Sequence, residues 1–160
     1  MGFSIAPVGG PCDLDTVRRL FREYADGLGI DLAYQGFDEE LAQLPGRYAP
    51  PAGGLLLALG DSGAVLGRVG LRPLKRVEVC ELKRLYVRPA ARGAGLGLAL
   101  ARSAVERAAA IGYREIVLDT LPSMTPAIAV YRALGFEPIP PYSDVIVPGI
   151  LYFGKRLPAR

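Results

Sequence analysis

Leu82-Lys83-Arg84-Leu85-Tyr86-Val87-Arg88-Pro89-Ala90-Ala91-Arg92-Gly93-Ala94-Gly95-Leu96-Gly97-Leu98-Ala99-Leu100 passes from a strand-like stretch through a glycine-rich turn directly into a helix-like one. Glycines let the backbone approach an anion closely. The helix that follows offers N–H groups with no intrahelical partner and the positive end of its dipole. The stretch therefore has the form of a phosphate cradle, and the spacing of its glycines decides which kind.

A dinucleotide fingerprint needs Gly-x-Gly-x-x-Gly, but counting from Gly93 puts Leu98 at the last position and counting from Gly95 puts Leu100 there. A nucleoside-triphosphate loop needs Gly-Lys-Ser/Thr, whereas Leu98 and Ala99 follow Gly97, so no lysine reaches a phosphate and no hydroxyl meets magnesium. The pattern that fits is Arg/Gln-x-x-Gly-x-Gly/Ala, here Arg92-Gly93-Ala94-Gly95-Leu96-Gly97. Further on, at the end of an apolar helical stretch, stands Tyr131-Arg132-Ala133-Leu134-Gly135-Phe136. The first motif resembles the coenzyme A pyrophosphate loop of the GNAT N-acetyltransferase superfamily. The second is similar to the Tyr-x-x-x-Gly-Phe signature that closes its core. The resemblance is close from Val77 to Phe136 and looser in the flanks.

Working outward, Phe3 to Val8 reads as a first strand ended by Gly9-Gly10-Pro11, and Asp13 or Asp15 as the cap of a helix running to about Leu28. Asp38 to Leu44 reads as a short second helix. Gly54–Leu59 and Ala64–Leu71 read as strands joined by the turn Gly60-Asp61-Ser62-Gly63, and Val77–Val87 as the longest strand. Leu96, Leu100, Ala104, Ala108 and Ile111 form one helical stripe. Glu115–Leu118 is a fifth strand, Thr125–Leu134 a further helix, and Phe136–Ile139 and Ile150–Lys155 the last strands. This order suits an α/β protein of mixed α+β character. The resemblance adds the GNAT topology: a mixed, mostly antiparallel sheet of about seven strands flanked by about four helices, in one domain spanning residues 1–160.

Composition narrows the chemistry. Of 160 residues, 51% are hydrophobic and 22% charged, enough to bury a real core. The chain has no histidine, which excludes imidazole bases, and its two cysteines, Cys12 and Cys80, show no metal spacing. Metal catalysis is therefore not expected. A net charge of +3, with arginines scattered among acids, gives nucleic-acid binding no support. The apolar runs fall short of the roughly 20 residues of a membrane helix, and no basic region with a long apolar stretch opens the chain. The expected location is the cytoplasm, without membrane attachment.

The resemblance implies a donor, acetyl-coenzyme A, and an acceptor, a primary amine of a small molecule or peptide. Pantetheine would pair with the backbone of Leu85, Tyr86 and Val87. The pyrophosphate would rest on the amides of Gly93, Ala94, Gly95, Leu96 and Gly97, with Arg92 ordering the loop or touching phosphate. Tyr131 takes the position of the family's general acid. Glu81 takes that of the glutamate base found in histone-acetyltransferase-type members, and simple alternation puts it on one strand face with Lys83, Leu85 and Val87, provided no bulge intervenes. A surface glutamate paired with Lys83 or Arg84 is the competing reading. Met124 stands where many members carry an asparagine, leaving Ser123 or Thr125 to cap the helix. Tyr24, Tyr34, Gln35 and Tyr142 are candidates for the acceptor wall, with Phe37 and Asp144 beside them. A coenzyme A-binding module without catalysis, or a transferase of a different acyl group, remains open at the level of sequence, and family members commonly form homodimers.

Overall fold

A computed structural model describes residues 2–8, 11–28, 39, 42–143 and 148–158. Seven strands form one sheet in the order β1-β2-β3-β4-β5-β7-β6: β1 Phe3–Pro7, β2 Gly54–Gly60, β3 Val65–Pro73, β4 Val79–Val87, β5 Glu115–Thr120, β6 Glu137–Pro138 and β7 Leu151–Arg156. All neighbouring pairs are antiparallel except β4 and β5. Among the described residues there are three α-helices, α1 Pro11–Leu28, α2 Leu96–Ile111 and α3 Thr125–Ala133. The expected helix over 38–44 lies largely outside the described residues, although the Gln43 N–H does donate to Glu39 O at 3.0 Å.

The parallel pair β4 and β5 needs a crossover, and α2 supplies it. This helix packs closely because its inward stripe is small: Ala101, Ala104 and Ala108 are fully buried together with Leu100. Leu100 meets Val69, Leu71, Ile116 and Leu118 in the larger core, which α3 closes with Tyr131 and Phe136. Each fully buried side chain of this size contributes about 1.5–3 kcal/mol. The opposite face carries a smaller core in which Val17 and Leu20 of α1 cover Leu55, Leu57 and Tyr48.

Among the differences from the sequence reading, three have local reasons. Helix α1 begins at Pro11, so Asp13 lies in its first turn and Asp15 in its second instead of capping it; proline at a helix start loses no bond, since that N–H would be unpaired. Neither Ser123 nor Thr125 caps α3, whose N-cap is Met124 without a side-chain hydrogen bond. Strand β6 is only two residues long. Phe136 turns its N–H back to Tyr131 O, and prolines at 138, 140 and 141 remove ladder donors.

The feature that positions the site is an irregularity in β4. Arg68 pairs with Tyr86 and Gly70 with Lys83, so Val69 alone stands opposite Arg84 and Leu85. Arg84 adopts φ +61°, which marks a bulge. Past it the alternation is inverted. Leu85 and Val87 join Cys80 and Leu82 on the α2–α3 face, while Tyr86 packs in the α1 core. The expectation that Glu81, Lys83, Leu85 and Val87 share one face is therefore corrected: only Glu81 and Lys83 remain together. Pairing with β5 ends at Glu81 opposite Val117, and β4 runs on to Val87 without that neighbour.

Candidate active site

Where β4 and β5 part, the backbone of Leu85, Tyr86 and Val87 loses its strand partner on the β5 side and borders a cleft of 540 Å³. That volume suits a small-molecule site. Arg92, Gly93, Gly95, Leu96 and Gly97 line the cleft from the turn, Met124, Ala127 and Val130 from α3. Ala94 does not line it. Gly93 and Gly95 have φ +90° and +79°, backbone conformations that side chains resist. Gly95 is the N-cap of α2 and provides no side-chain cap, and the first backbone bond of the helix is Ala99 N–H to Gly95 O. The amides of Leu96, Gly97 and Leu98 precede that bond and present donors at the positive end of the helix. A Cβ on Gly97 would come 3.8 Å from Val130 and 3.9 Å from Val87, two cleft-lining residues, so Gly97 leaves room at the cleft wall itself. An extended diphosphate ligand fits this donor set.

Arg92 is tied to the same strand end. Its Nε donates to Val87 O at 3.0 Å, and its guanidinium lies 5.9 Å from the Tyr86 ring centre. Tyr86 in turn donates from its hydroxyl to Glu23 of α1 at 2.5 Å, and Arg88 donates to the same carboxylate at 3.2 Å. Burial first, and then the Glu23 carboxylate, push the Tyr86 hydroxyl above its ordinary pKa. Glu23 is held low by the Tyr86 bond, against some desolvation, and by Arg88.

Tyr131 is 5% exposed on α3, one residue beyond cleft-lining Val130, with its ring 5.8 Å from Phe136 and tilted by 60°. Glu81 is 3% exposed. Arg72 Nε donates to one of its oxygens at 2.8 Å and Tyr142 Oη to the other at 2.5 Å. Burial alone would raise its pKa. The charges of Lys83 and Arg72, with the bonds from Tyr142 and Arg72, outweigh burial and hold the carboxyl below its usual range. Tyr142 is raised, by burial first and then by Glu81 and Asp119, and its ring stands edge-on to Tyr152 at 5.4 Å. Lys83 Nζ lies 3.8 Å from Asp119 Oδ1.

Glu81 and Tyr142, proposed from sequence for different roles, are thus brought into contact. Tyr24 lies on α1 with its side chain outside the described residues, and Tyr34, Gln35, Phe37 and Asp144 are also outside them. Arg72 and Asp119 were not singled out from sequence. Both reach the cluster through strand register, Arg72 opposite Glu81 and Asp119 opposite Tyr152, and no local motif marks them. Cys80 is a buried free thiol pushed up to about 12 by desolvation, which makes it inert as a nucleophile. No helix among the described residues is long and apolar enough to cross a membrane.

Comparison with known proteins agrees with the geometry. The model of the acetyltransferase (GNAT) family matches residues 15–136. An uncharacterized N-acetyltransferase of Schizosaccharomyces pombe is 40% identical over 149 residues, covering 93% of this chain and 91% of that one. A GNAT-family acetyltransferase of Staphylococcus aureus superposes with a TM-score of 0.80 at 18% identity, covering 98% of this chain and 100% of its own. A phosphinothricin acetyltransferase of Sinorhizobium meliloti, solved in complex with AcCoA, superposes with a TM-score of 0.69 at 21% identity, covering 98% and 89%. The chain belongs to the acetyltransferase (GNAT) family and is an acyltransferase.

Proposed function

We propose that the protein transfers an acetyl group from acetyl-coenzyme A to the nitrogen of a primary amine. The observation that carries this reading is the cleft where β4 leaves β5, with unpartnered strand backbone at one end and the glycine-cradled start of α2 at the other. An extended thioester with a diphosphate matches both ends. The S. meliloti relative, solved with AcCoA, supports that donor.

In this reading the diphosphate rests on the amides at the start of α2, and Arg92, held by Val87 O and the Tyr86 ring, closes over it. Pantetheine extends β4 on its free side, and a backbone N–H there polarises the thioester carbonyl. The neutral amine attacks that carbon. The C–N bond forms, the C–S bond breaks, and Tyr131 gives its phenolic proton to the departing thiolate, to be reprotonated from solvent. The nitrogen becomes acidic as it attacks. Its proton passes to Tyr142 Oη, which hands its own along the 2.5 Å bond to Glu81. Because Glu81 is held ionised, it accepts that proton only transiently, which suits a relay better than direct abstraction.

Mass spectrometry of the product after incubation with acetyl-coenzyme A and an amine tests the reading. An acetyl group on the amine nitrogen is expected; acetate alone, at a rate indifferent to added amine, would reject it. The domain extent of 1–160, a cytoplasmic location and homodimer formation are parts of the same proposal.

A further inference from the structure

Arg92 lines the cleft at its glycine-turn end, yet its side chain is exposed. A long side chain in water spreads over many rotamers, and ordering it only when a ligand arrives weakens binding. The bond from Nε to Val87 O ties the stem of the group but does not fix the whole guanidinium. The ring of Tyr86, with its centre 5.9 Å away, supplies a second hold. A ring can place a cation only if the ring itself is placed.

Tyr86 is held from two elements. Across the sheet it pairs with Arg68 of β3, a fully buried residue whose guanidinium lies 5.8 Å from the same ring centre. From α1, Glu23 accepts the hydrogen bond of its hydroxyl at 2.5 Å. Glu23 is in turn bonded by Arg88 at 3.2 Å and feels the charge of Arg68. A phenol that donates to a carboxylate has a more electron-rich ring, which attracts a guanidinium more strongly. The bulge makes this possible, because under strict alternation Tyr86 would face α2 and its hydroxyl would point away from α1. A tyrosine that only packed α1 against the sheet would need neither a carboxylate on its hydroxyl nor a cleft-lining arginine beside its ring.

We propose that the Tyr86 side chain is a positioning residue of the donor site: anchored to Glu23 of α1, its ring sets the Arg92 guanidinium at the diphosphate end of the cleft before the donor arrives. This rests on the acetyl-coenzyme A reading and adds to it the residues that orient the phosphate contact. Tyr86 and Glu23 act through Arg92, whose planar guanidinium can pair with phosphate oxygens through parallel hydrogen bonds once its plane is set. Helix α1 thereby contributes to donor binding from the opposite face of the sheet to α2 and α3.

Calorimetry of coenzyme A with the purified full chain tests this through a double-substitution cycle. Tyr86→Leu is expected to raise Kd by about 3- to 30-fold, the worth of a ring–cation contact. Tyr86→Phe, which keeps the ring and loses the anchor, is expected to fall between the unaltered protein and Tyr86→Leu. In an Arg92→Ala background Tyr86→Leu is expected to add less than about twofold, because the group it positions is gone. Glu23→Ala is expected to weaken coenzyme A binding and to raise KM for acetyl-coenzyme A with kcat within about twofold. Charge alone would act the other way, since removing a carboxylate from beside an anion site tightens it. An equal loss for Tyr86→Leu with and without Arg92 would reduce Tyr86 to a packing residue and overturn the inference, as would no loss in either background. Unchanged or tighter binding by Glu23→Ala would overturn the anchor. In all these cases the unaltered protein still binds coenzyme A and the transferase reading stands; failure of the unaltered protein to bind it would remove that reading and the inference with it. If Tyr86→Leu does not fold, Tyr86→Phe runs the same cycle and the same results decide.

Discussion

At the scale of single residues the account turns on Tyr131 and on the glycines of the turn. Tyr131→Phe keeps the ring that packs on Phe136 and removes only the proton. It is expected to lower kcat by about 10²- to 10⁴-fold with little change in the Kd for acetyl-coenzyme A; stopped-flow thiol release and calorimetry measure the two separately, and undiminished kcat would remove Tyr131 from its role. Gly95→Ala tests the turn without crowding it, since nothing lies within 4 Å of the added Cβ. The cost is the left-handed backbone alone, about 1–2 kcal/mol, to be read from urea midpoints. Both positions stand out in the sequence because each sits in a short motif of defined spacing. Arg72 and Asp119 do not. They join Glu81 and Lys83 across neighbouring strands, and that proximity exists only once register is set.

At the scale of elements, the bulge in β4 and the start of α2 together make the cleft. Gly97→Ala separates folding from binding. A methyl there meets only ordinary contacts with Val87 and Val130 and replaces a poor helix former, so stability is expected to rise by up to about 1 kcal/mol. The same methyl stands at the cleft wall, so acetyl-coenzyme A binding is expected to weaken several-fold by calorimetry. A variant both more stable and equally tight would contradict the position assigned to the ligand. The element order was readable from periodicity and turn residues, but whether a bulge interrupts β4 was left open. The stretch Leu82-Lys83-Arg84-Leu85 contains no glycine to announce a positive φ, although two leucines three apart within a strand already break strict alternation. That signal was available, and it would have moved Leu85 and Val87 to the correct face. The β6 boundary was harder to see, because prolines shorten a strand only by removing donors that its partner needs.

For the whole molecule, ionisable groups shifted in the folded state give stability a defined pH dependence. Glu81 and Glu23 have folded pKa values below their ordinary ones, so their contribution is complete above the usual carboxylate range and is lost as pH falls through the lowered folded values. Cys80 behaves oppositely. Its thiol is raised from 9.0 to about 12, so its contribution is complete below pH 9 and is lost as pH rises between about 9 and 12. Urea midpoints measured against pH should therefore fall on both sides, and Cys80→Ala should flatten part of the alkaline decline; an unchanged alkaline slope would count against the buried thiol. The whole-molecule architecture was accessible from sequence because the glycine-loop and Tyr-x-x-x-Gly-Phe motifs bracket the stretch from α2 through β5 to α3. The cluster of Glu81, Arg72, Lys83 and Asp119 was not, since it follows from strand register. The most direct measurement for the central claim is titration of the purified protein with acetyl-coenzyme A, followed by thiol release across amines, amino acids and peptides. Saturable binding with release that depends on the added amine is the result the account predicts, and absence of binding would contradict it.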